Sequence, residues 1–526
     1  MTYSPAPTTS VSGRGMTMSD LIARYSRTDA DDVAFRDGEL TLTWAQTHER
    51  ITRLAAVLSS HGVGAGDRVA VMGLNSVPSI ESMAAVLRLG AICVPVNFRL
   101  VAEEVAYALT DSGAVAVLVD DTFPPVVEAA RAQAPDVRAV LTIGAGYEEQ
   151  LAAASPEYTE LAVDDAAPAF IMYTSGTTGR PKGAVLTHRN LFLHAFSNIA
   201  HSGVSGEDRV GMSGAPLFHI AGVTGFYLNL VVGARTVLAP SGGFDPAAMV
   251  GLLERERVSS VFFVPAQWAA IVAVPDIAQR DLSALRRASW GAAPASTTLL
   301  RTMIDTFPQA EIVTAFGQTE CSPVTCLLRG EDSIRKIGSI GTPMRGVEAR
   351  VVDDAMNDVE QGEVGEIVYR GPTVMDGYWN KPEETAEAFR GGWFHSGDLV
   401  RQDEDGYLFV VDRKKDMIIS GGENIYCAEV ENTLAKHPKI GEVALIGVAD
   451  PRYGEAPLAV IAPRHPADPP TAEEIEVFCR AHLASYKRPR DVVIVAALPR
   501  NPSGKVLKTA LRAEYGAAGV VATPAV

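Results

Sequence analysis

The chain has 526 residues, 47% of them hydrophobic and 21% charged, so it is a globular protein too long for one ordinary core and should divide into two or more domains. A formal net charge of −17 excludes a general nucleic-acid-binding surface; a polyanionic ligand would have to be held by locally placed cations and backbone N–H groups. Five scattered cysteines (Cys93, Cys321, Cys326, Cys427 and Cys479) have neither paired zinc spacing nor a disulfide framework, which fits reduced thiols and a cytoplasmic location.

Residues 1–17 (MTYSPAPTTSVSGRGMT) are rich in Ser, Thr, Pro and Gly, lack the apolar stretch of a signal peptide and read as a flexible tail. No apolar run reaches the roughly 18 residues of a membrane span, so no integral membrane association is expected. From about residue 65 to 320, short β-branched runs alternate with amphipathic stretches. VAVMGLN (69–75), ICVPVN (92–97), AVAVLVD (114–120) and AVLTI (139–143) read as strands, with helical spacing at 78–89 and 101–110. FIMYT (170–174), RTVLAP (235–240), SVFFVP (260–265) and EIVTAF (311–316) continue the pattern, and AVLTHRNLFLHAF after the glycine-rich segment reads as a helix. Strands buried on both faces and separated by helices imply mostly parallel α/β sheets. The two groups of strands, before and after residue 175, predict two such sheets. From about 337 to 411 the strands EARVVD, GEIVYRG and GYLFVVD, broken by Gly and Asp turns, predict a smaller β-barrel-like subdomain. The charged run DRKKD (412–416) then reads as a linker to a final α+β domain. The expected division is a large domain at 18–411, a hinge at 412–416 and a small mobile domain at 417–526.

The strongest chemical signal is YTSGTTGRPKG at 173–183, between a strand and a helix. Gly176, Gly179 and Gly183 let backbone N–H groups approach phosphate oxygens, Ser175, Thr177 and Thr178 add hydroxyl donors, and Lys182 adds positive charge. The spacing is not that of a Walker A loop. The segment resembles the phosphate-loop signature of the adenylate-forming superfamily, which contains acyl- and aryl-CoA synthetases, peptide-synthetase adenylation domains and luciferases. PLFH (216–219), GAAP (291–294), FGQTE (316–320), GEIVYRG (365–371), WFHSGD (393–398), DRKKDMIISGGENIYCAEVE (412–431) and PRNPSGKVLK (499–508) resemble further motifs of that superfamily in the same order.

The resemblance implies ATP, Mg²⁺ and coenzyme A as reactants or cofactors, and a reaction through an acyl-adenylate. Thr174, Ser175, Gly176, Thr177, Thr178, Gly179 and Lys182 become expected phosphate contacts, with Thr174 counted among the catalytic groups. Phe316 is expected to stack on adenine beside the small Gly291, Ala292 and Ala293. Gly317, Gln318 and Thr319 complete the nucleotide contacts, and Glu320 is the expected Mg²⁺ ligand. Asp398 is suited to accept hydrogen bonds from ribose hydroxyls, with Arg413 as a second contact. Lys505 is expected to stabilise charge on the α-phosphate as a carboxylate attacks it. Lys415 falls at the hinge position, from which the small domain would rotate between a state presenting Lys505 and one presenting the loop Ser420–Asn424. Ser420, Gly421 and Gly422 would then line a channel for the thiol arm of CoA. Lys487, Arg488 and Arg490 (YKRPR) are candidates for its phosphates, Lys487 foremost.

For the acid, the resemblance implies a pocket built from His219, Ile220, Ala221, Gln267, Trp268, Trp290, Ala315, Gly317, Cys321, Ser322 and Pro323, with His219 at its mouth. These residues favour a hydrophobic acyl group over a dicarboxylate. No aspartate stands where amino-acid-activating domains hold an α-amino group. If the Trp290 indole enters the pocket, it shortens the channel and favours a medium-chain, branched or aromatic monocarboxylic acid; if it packs into the core, longer chains fit. The shorter channel is the expectation. Transfer to a carrier protein instead of CoA, and a non-catalytic nucleotide- or acyl-binding protein, are the competing readings. Retention of Lys182, Glu320, Asp398 and Lys505 argues against the second. A homodimer is left open.

Overall fold

A run such as AVAVLVD offers no face to water, and in the computed structural model of the protein it forms a buried interior strand, Ala114–Asp120. The structure describes residues 17–516 apart from 158–160, 175–179, 206–208, 242, 294, 331, 421–422 and 501–504. Two units emerge: 1–349 with 369–394, and 350–368 with 395–526.

The first unit carries the two expected sheets. One has seven strands, in the order Gly377–Tyr378, Lys182–Thr187, Pro168–Thr174, Ile92–Pro95, Arg68–Met72, Ala114–Asp120 and Ala139–Ile143. The last five of these run parallel, and Lys182–Thr187 pairs antiparallel with Pro168–Thr174. The sequence AVLTHRNLFLHAF is therefore not one helix. Its first four residues complete the strand Lys182–Thr187, and the helix His188–Ser202 begins only after Thr187, whose hydroxyl accepts the Asn190 N–H as an N-cap. That cap, preceded by a β-branched run, marks the switch of element.

The second sheet has nine strands. Its parallel body comprises Glu311–Gly317, Arg287–Gly291, Ser260–Phe263, Val210–Ser213, Arg235–Leu238 and Val33–Asp37. Val324–Leu328 and Thr342–Pro343 extend one edge antiparallel, and Leu40–Thr43 the other. The N-terminal hairpin 33–43 thus closes a sheet whose remaining strands lie after residue 200.

In the second unit a four-stranded sheet takes the order Glu348–Val352, Val364–Arg370, Phe394–Gln402 and Leu408–Arg413. A five-stranded sheet follows, built round the long antiparallel pair Ile440–Asp450 and Gly454–Pro463, with the helices Cys427–Leu434 and Ala472–His482 on one core. The helix Lys508–Tyr515 seals a second core through Leu511. Among the described residues no helix is long and apolar enough to cross a membrane. All five cysteines are buried, and none is in a disulfide.

Candidate functional site

The glycine-rich loop joins two antiparallel strands in which Thr174 stands opposite Lys182. Ser175, Gly176, Thr177, Thr178 and Gly179 lie outside the described residues; both flanks are described and both are braced to one helix, Ala102–Ser112. The Tyr173 hydroxyl donates to Asp111 Oδ2 at 2.8 Å, and Lys381 Nζ donates to Asp111 Oδ1 at 3.1 Å. On the other flank the Tyr107 hydroxyl donates to the Pro181 carbonyl at 2.9 Å, and the Arg180 guanidinium lies 5.3 Å from the Tyr107 ring centre. Burial and the Asp111 carboxylate push the Tyr173 phenol above its ordinary range, so it stays a donor at any physiological pH.

The FGQTE segment leaves the sheet through a tight turn. A Cβ on Gly317 would lie 1.9 Å from the Pro323 carbonyl oxygen, and its φ of 154° belongs to glycine. The Gln318 N–H bonds to that same carbonyl at 2.8 Å, and a 3₁₀ turn over Thr319–Cys321 follows. Phe316 and Thr319 are half-buried, whereas the Glu320 carboxylate is only 8% exposed and accepts the Tyr378 hydroxyl at 3.0 Å. The Tyr378 ring centre lies 5.1 Å from Lys182 Nζ. A Cβ on Gly291 would stand 2.1 Å from the Ala315 carbonyl oxygen, which accounts for the glycine there, while Ala292 and Ala293 are exposed. Ala292 (φ 64°) and Ser322 (φ 70°) hold left-handed backbone without being glycine. Such conformations cost of order 1–3 kcal/mol each and gather at functional sites.

The acyl candidates divide by strand parity. Trp290 stands opposite Phe263 and Thr314, and Gly291 opposite Ala315, so Trp290 and Ala315 point to opposite faces of the sheet. Trp290 belongs to the core cluster of Val261, Phe263, Trp268, Met303 and Phe307. The Trp268 indole is fully buried, 5.2 Å from the Phe263 ring and 5.6 Å from Phe307, and its N–H donates to the Ser289 carbonyl at 2.9 Å. Neither tryptophan shortens an acyl channel, which corrects the expectation drawn from Trp290. Trp290→Ala should therefore lower stability by about 3–5 kcal/mol, the cost of deleting a core aromatic, without shifting acid preference; thermal melting and a substrate panel check both halves.

The opposite face is lined by small residues. Ser213 stands opposite Phe262, the Phe262 ring lies 3.5 Å from a Cβ built on Gly291, and a Cβ on Gly225 would be 3.3 Å from Ser213. This places Ser213, Phe262, Gly291 and Ala315 toward the helix Ile220–Val231 that carries Ala221 and Gly225. Ile220, Cys321 and Ser322 are buried, and Gln267 accepts the Val264 N–H as part of a helix start. His219 caps the helix Ile220–Val231 by accepting the Ala221 N–H at Nδ1 (3.2 Å); burial lowers its pKa, so the neutral ring with its proton on Nε2 is the resting form.

In the second unit, Asp398 and Arg413 face each other across paired strands, with Arg413 Nε 2.7 Å from Asp398 Oδ1 and Asp398 3% exposed. Sequence reasoning missed the support beneath them, Glu366. It accepts hydrogen bonds from His395 (3.1 Å), from the Gly397 N–H (3.0 Å) and from Lys414 (3.1 Å). Burial alone would raise the Glu366 carboxyl, but these three donors outweigh it and hold it below the usual range. The glutamate of GEIVYRG and the histidine of WFHSGD were the available signal.

Lys505 belongs to the same electrostatic group. It is exposed overall, yet the protein around it costs it hydration and Arg413 and Lys508 repel it, so its pKa falls despite the pull of Asp398 and Asp416. Lys415 is lowered to about 8, first by lost hydration and then by Lys505, Arg413 and Arg512, against the pull of Asp416. Ser420 is buried, and Gly421 and Gly422 lie outside the described residues. Lys487 is paired with Glu429 at 2.6 Å, and the Arg490 guanidinium lies 4.3 Å from the Tyr453 ring centre. Among the described residues no cluster of three or more His, Cys, Asp or Glu side chains could hold a metal by itself.

Residues 22–379 match the AMP-binding enzyme family and residues 429–505 the AMP-binding enzyme C-terminal domain. A feruloyl-CoA synthase of an Amycolatopsis species is 41% identical over 493 residues, 94% of this chain and 98% of that protein. A long-chain-fatty-acid–CoA ligase of Mycobacterium tuberculosis is 38% identical over 485 residues, 91% of this chain and 94% of that one. Among solved structures, an anthranilate CoA ligase in complex with anthranoyl-AMP has a TM-score of 0.86 at 28% identity, covering 95% of this chain and 97% of its own.

Proposed function

The chain belongs to the AMP-binding enzyme family, and from that premise we propose that it converts a carboxylic acid, ATP and CoA into acyl-CoA, AMP and pyrophosphate through an acyl-adenylate. The observation that carries the reading is the presence of Lys182, Glu320, Asp398 and Lys505, each on a motif of the family, in a chain aligned over 94% of its length with a feruloyl-CoA synthase.

In the first half-reaction an oxyanion attacks the α-phosphorus, so like charges meet. Lys505 supplies a positive charge where negative charge grows, which favours the transition state over the ground state. Lys182 and the loop donors hold the departing phosphates, and the Asp398–Arg413 pair orients the ribose. Glu320 is a single buried carboxylate with one oxygen engaged by Tyr378, and this suits a hard cation that arrives with nucleotide oxygens and water rather than one caged by protein. Mg²⁺, when bound there, would offset phosphate charge. In the second half-reaction the activated carbonyl needs only a positioned thiol. We assign that positioning to Ser420–Asn424, with Lys487 toward the CoA phosphates and Lys415 as the pivot between the two half-reactions. Five buried cysteines outside any disulfide fit a reducing cytoplasm.

Adenylation requires protonated Lys505, so its rate should fall as pH rises through that lysine's lowered pKa. Lys508→Gln removes one of the positive charges that lower that pKa, lets Lys505 keep its proton to higher pH and should move the alkaline limb upward. Pyrophosphate exchange between pH 7 and 10.5 reads the shift, and an unmoved or lowered limb would contradict the coupling.

The acid is proposed to be an aromatic monocarboxylate. The small neutral face at Ser213, Gly225 and Ala315, with the Phe262 ring beside it, suits a flat apolar acyl group, and likenesses to the feruloyl- and anthranilate-CoA ligases add support. A pyrophosphate-release screen over C4 to C18 fatty acids and benzoate- and cinnamate-type acids, with and without CoA, tests the reading. Release with no acid at all would overturn the function; a clear optimum at C16 or longer would overturn only the acid class.

A further inference from the structure

The segment Asp376–Lys381 (DGYWNK) begins 56 residues after Glu320 and 193 after Gly183 in the sequence. Within the first unit it is stitched onto the strand that carries Lys182. Gly377 and Tyr378 pair with Val185 and Ala184, the Asp376 N–H donates to the Val185 carbonyl at 3.0 Å, and the Trp379 N–H donates to the Gly183 carbonyl at 2.8 Å. The Met375 N–H donates to the backbone carbonyl of Glu320 at 2.7 Å, so this stretch grips the FGQTE turn as well. One side chain then reaches both charged groups. The Tyr378 hydroxyl donates to Glu320 Oε1 at 3.0 Å, while its ring centre lies 5.1 Å from Lys182 Nζ. The Tyr378 backbone is itself fixed by its N–H donating to Thr385 Oγ1 at 2.9 Å.

We propose that Tyr378 is a positioning residue that couples the Glu320 carboxylate to the Lys182 ammonium, setting the distance between the group that takes the metal and the group that takes the phosphate. The chemistry of each half of the side chain is distinct. The phenol satisfies one oxygen of a carboxylate that is almost wholly out of water, and so orients the other toward an incoming cation. The ring face offers the ammonium a neutral, electron-rich neighbour that holds it near the carboxylate without neutralising it, as a salt bridge would.

This inference rests on the function proposed above, and its test separates the two. ATP binding is measured at equilibrium by fluorescence of a labelled ATP analogue, with and without Mg²⁺, in the wild type, Tyr378→Phe and Tyr378→Leu. Tyr378→Phe should keep metal-free affinity and lose about tenfold of the strengthening by Mg²⁺, the size of a charge-assisted hydrogen bond. Tyr378→Leu should lose metal-free affinity too. In a Glu320→Gln background the Tyr378→Phe effect on Mg²⁺ dependence should vanish, an outcome that a merely structural tyrosine would not produce. Wild-type Mg²⁺ dependence in Tyr378→Phe, or additive losses in the double variant, would overturn the coupling alone. Failure of the wild type to bind the nucleotide would overturn the function and the coupling with it.

Discussion

Lys505→Ala should slow adenylate formation by about a hundred- to a thousandfold, the loss seen when one preorganised charge donor is removed from a transition state, while leaving thioester formation from a supplied acyl-adenylate within about threefold of the wild type. The asymmetry follows from where charge moves. Attack on the α-phosphorus builds negative charge on phosphate oxygens, and the Lys505 ammonium is the cation assigned to it. Attack of a thiol on the adenylate builds charge on the acyl carbonyl and expels AMP, a step to which Lys505 contributes no assigned contact. Pyrophosphate exchange reads the first half-reaction and CoA thioester release from synthetic adenylate the second. Equal damage to both would mean that Lys505 holds the unit together instead of acting on the phosphate. Its setting suits the catalytic role, because lost hydration and the repulsion of Arg413 and Lys508 outweigh the pull of Asp398 and Asp416, and the negative charge of a phosphate would relieve that balance.

The second large effect is structural in origin and catalytic in consequence. Gly317→Ala places a methyl group 1.9 Å from the Pro323 carbonyl oxygen and 2.9 Å from the Thr325 nitrogen, at a φ of 154° that side chains rarely adopt. Both neighbours are backbone, so no rotamer change can relieve the overlap. The turn must open, and the residues it carries are Phe316, Gln318, Thr319 and Glu320. Displacement of a positioning group by about 1 Å costs roughly a hundredfold in rate, and the strain should lower stability by about 3 kcal/mol or more. Steady-state pyrophosphate release and thermal melting measure the two losses. A variant with full activity and an unchanged melting temperature would show that the turn is not as tight as described.

The candidate residues that share a contiguous motif lie together as their motifs suggest, because local backbone geometry and chemistry are specified together there. Gly317 and Glu320 share one turn, and Asp398 and Arg413 share a hairpin whose register sets them opposite each other. What escaped was decided by pairing across long separations. Trp290 sits one residue before Gly291, and only the strand's alternation sends its ring to the helical core while Gly291 faces Ala315. The same alternation was present in SVFFVP and would have nominated Phe262 over Trp268. The Tyr378–Glu320 contact joins residues 58 apart and the Asp111–Lys381 contact residues 270 apart, with no periodicity to announce either. His219 was a candidate on its motif alone, and its capping bond to Ala221 required the start of the helix to be placed at Ile220. At the level of fold, the two parallel sheets follow from buried β-branched runs. The hairpin 33–43 that completes the second sheet did not, because a short alternating pair at the N-terminus carries no mark of a partner near residue 236.

The fate of the carboxylate oxygen tests the central claim most directly. An aromatic acid carrying ¹⁸O in both carboxylate positions, turned over with ATP and CoA, should leave one labelled oxygen in AMP and none in pyrophosphate, since the bond made to the α-phosphorus survives when the thiol breaks the acyl bond. Formation of ADP, or label in pyrophosphate with unlabelled AMP, would mean that the acid is not activated at the α-phosphorus.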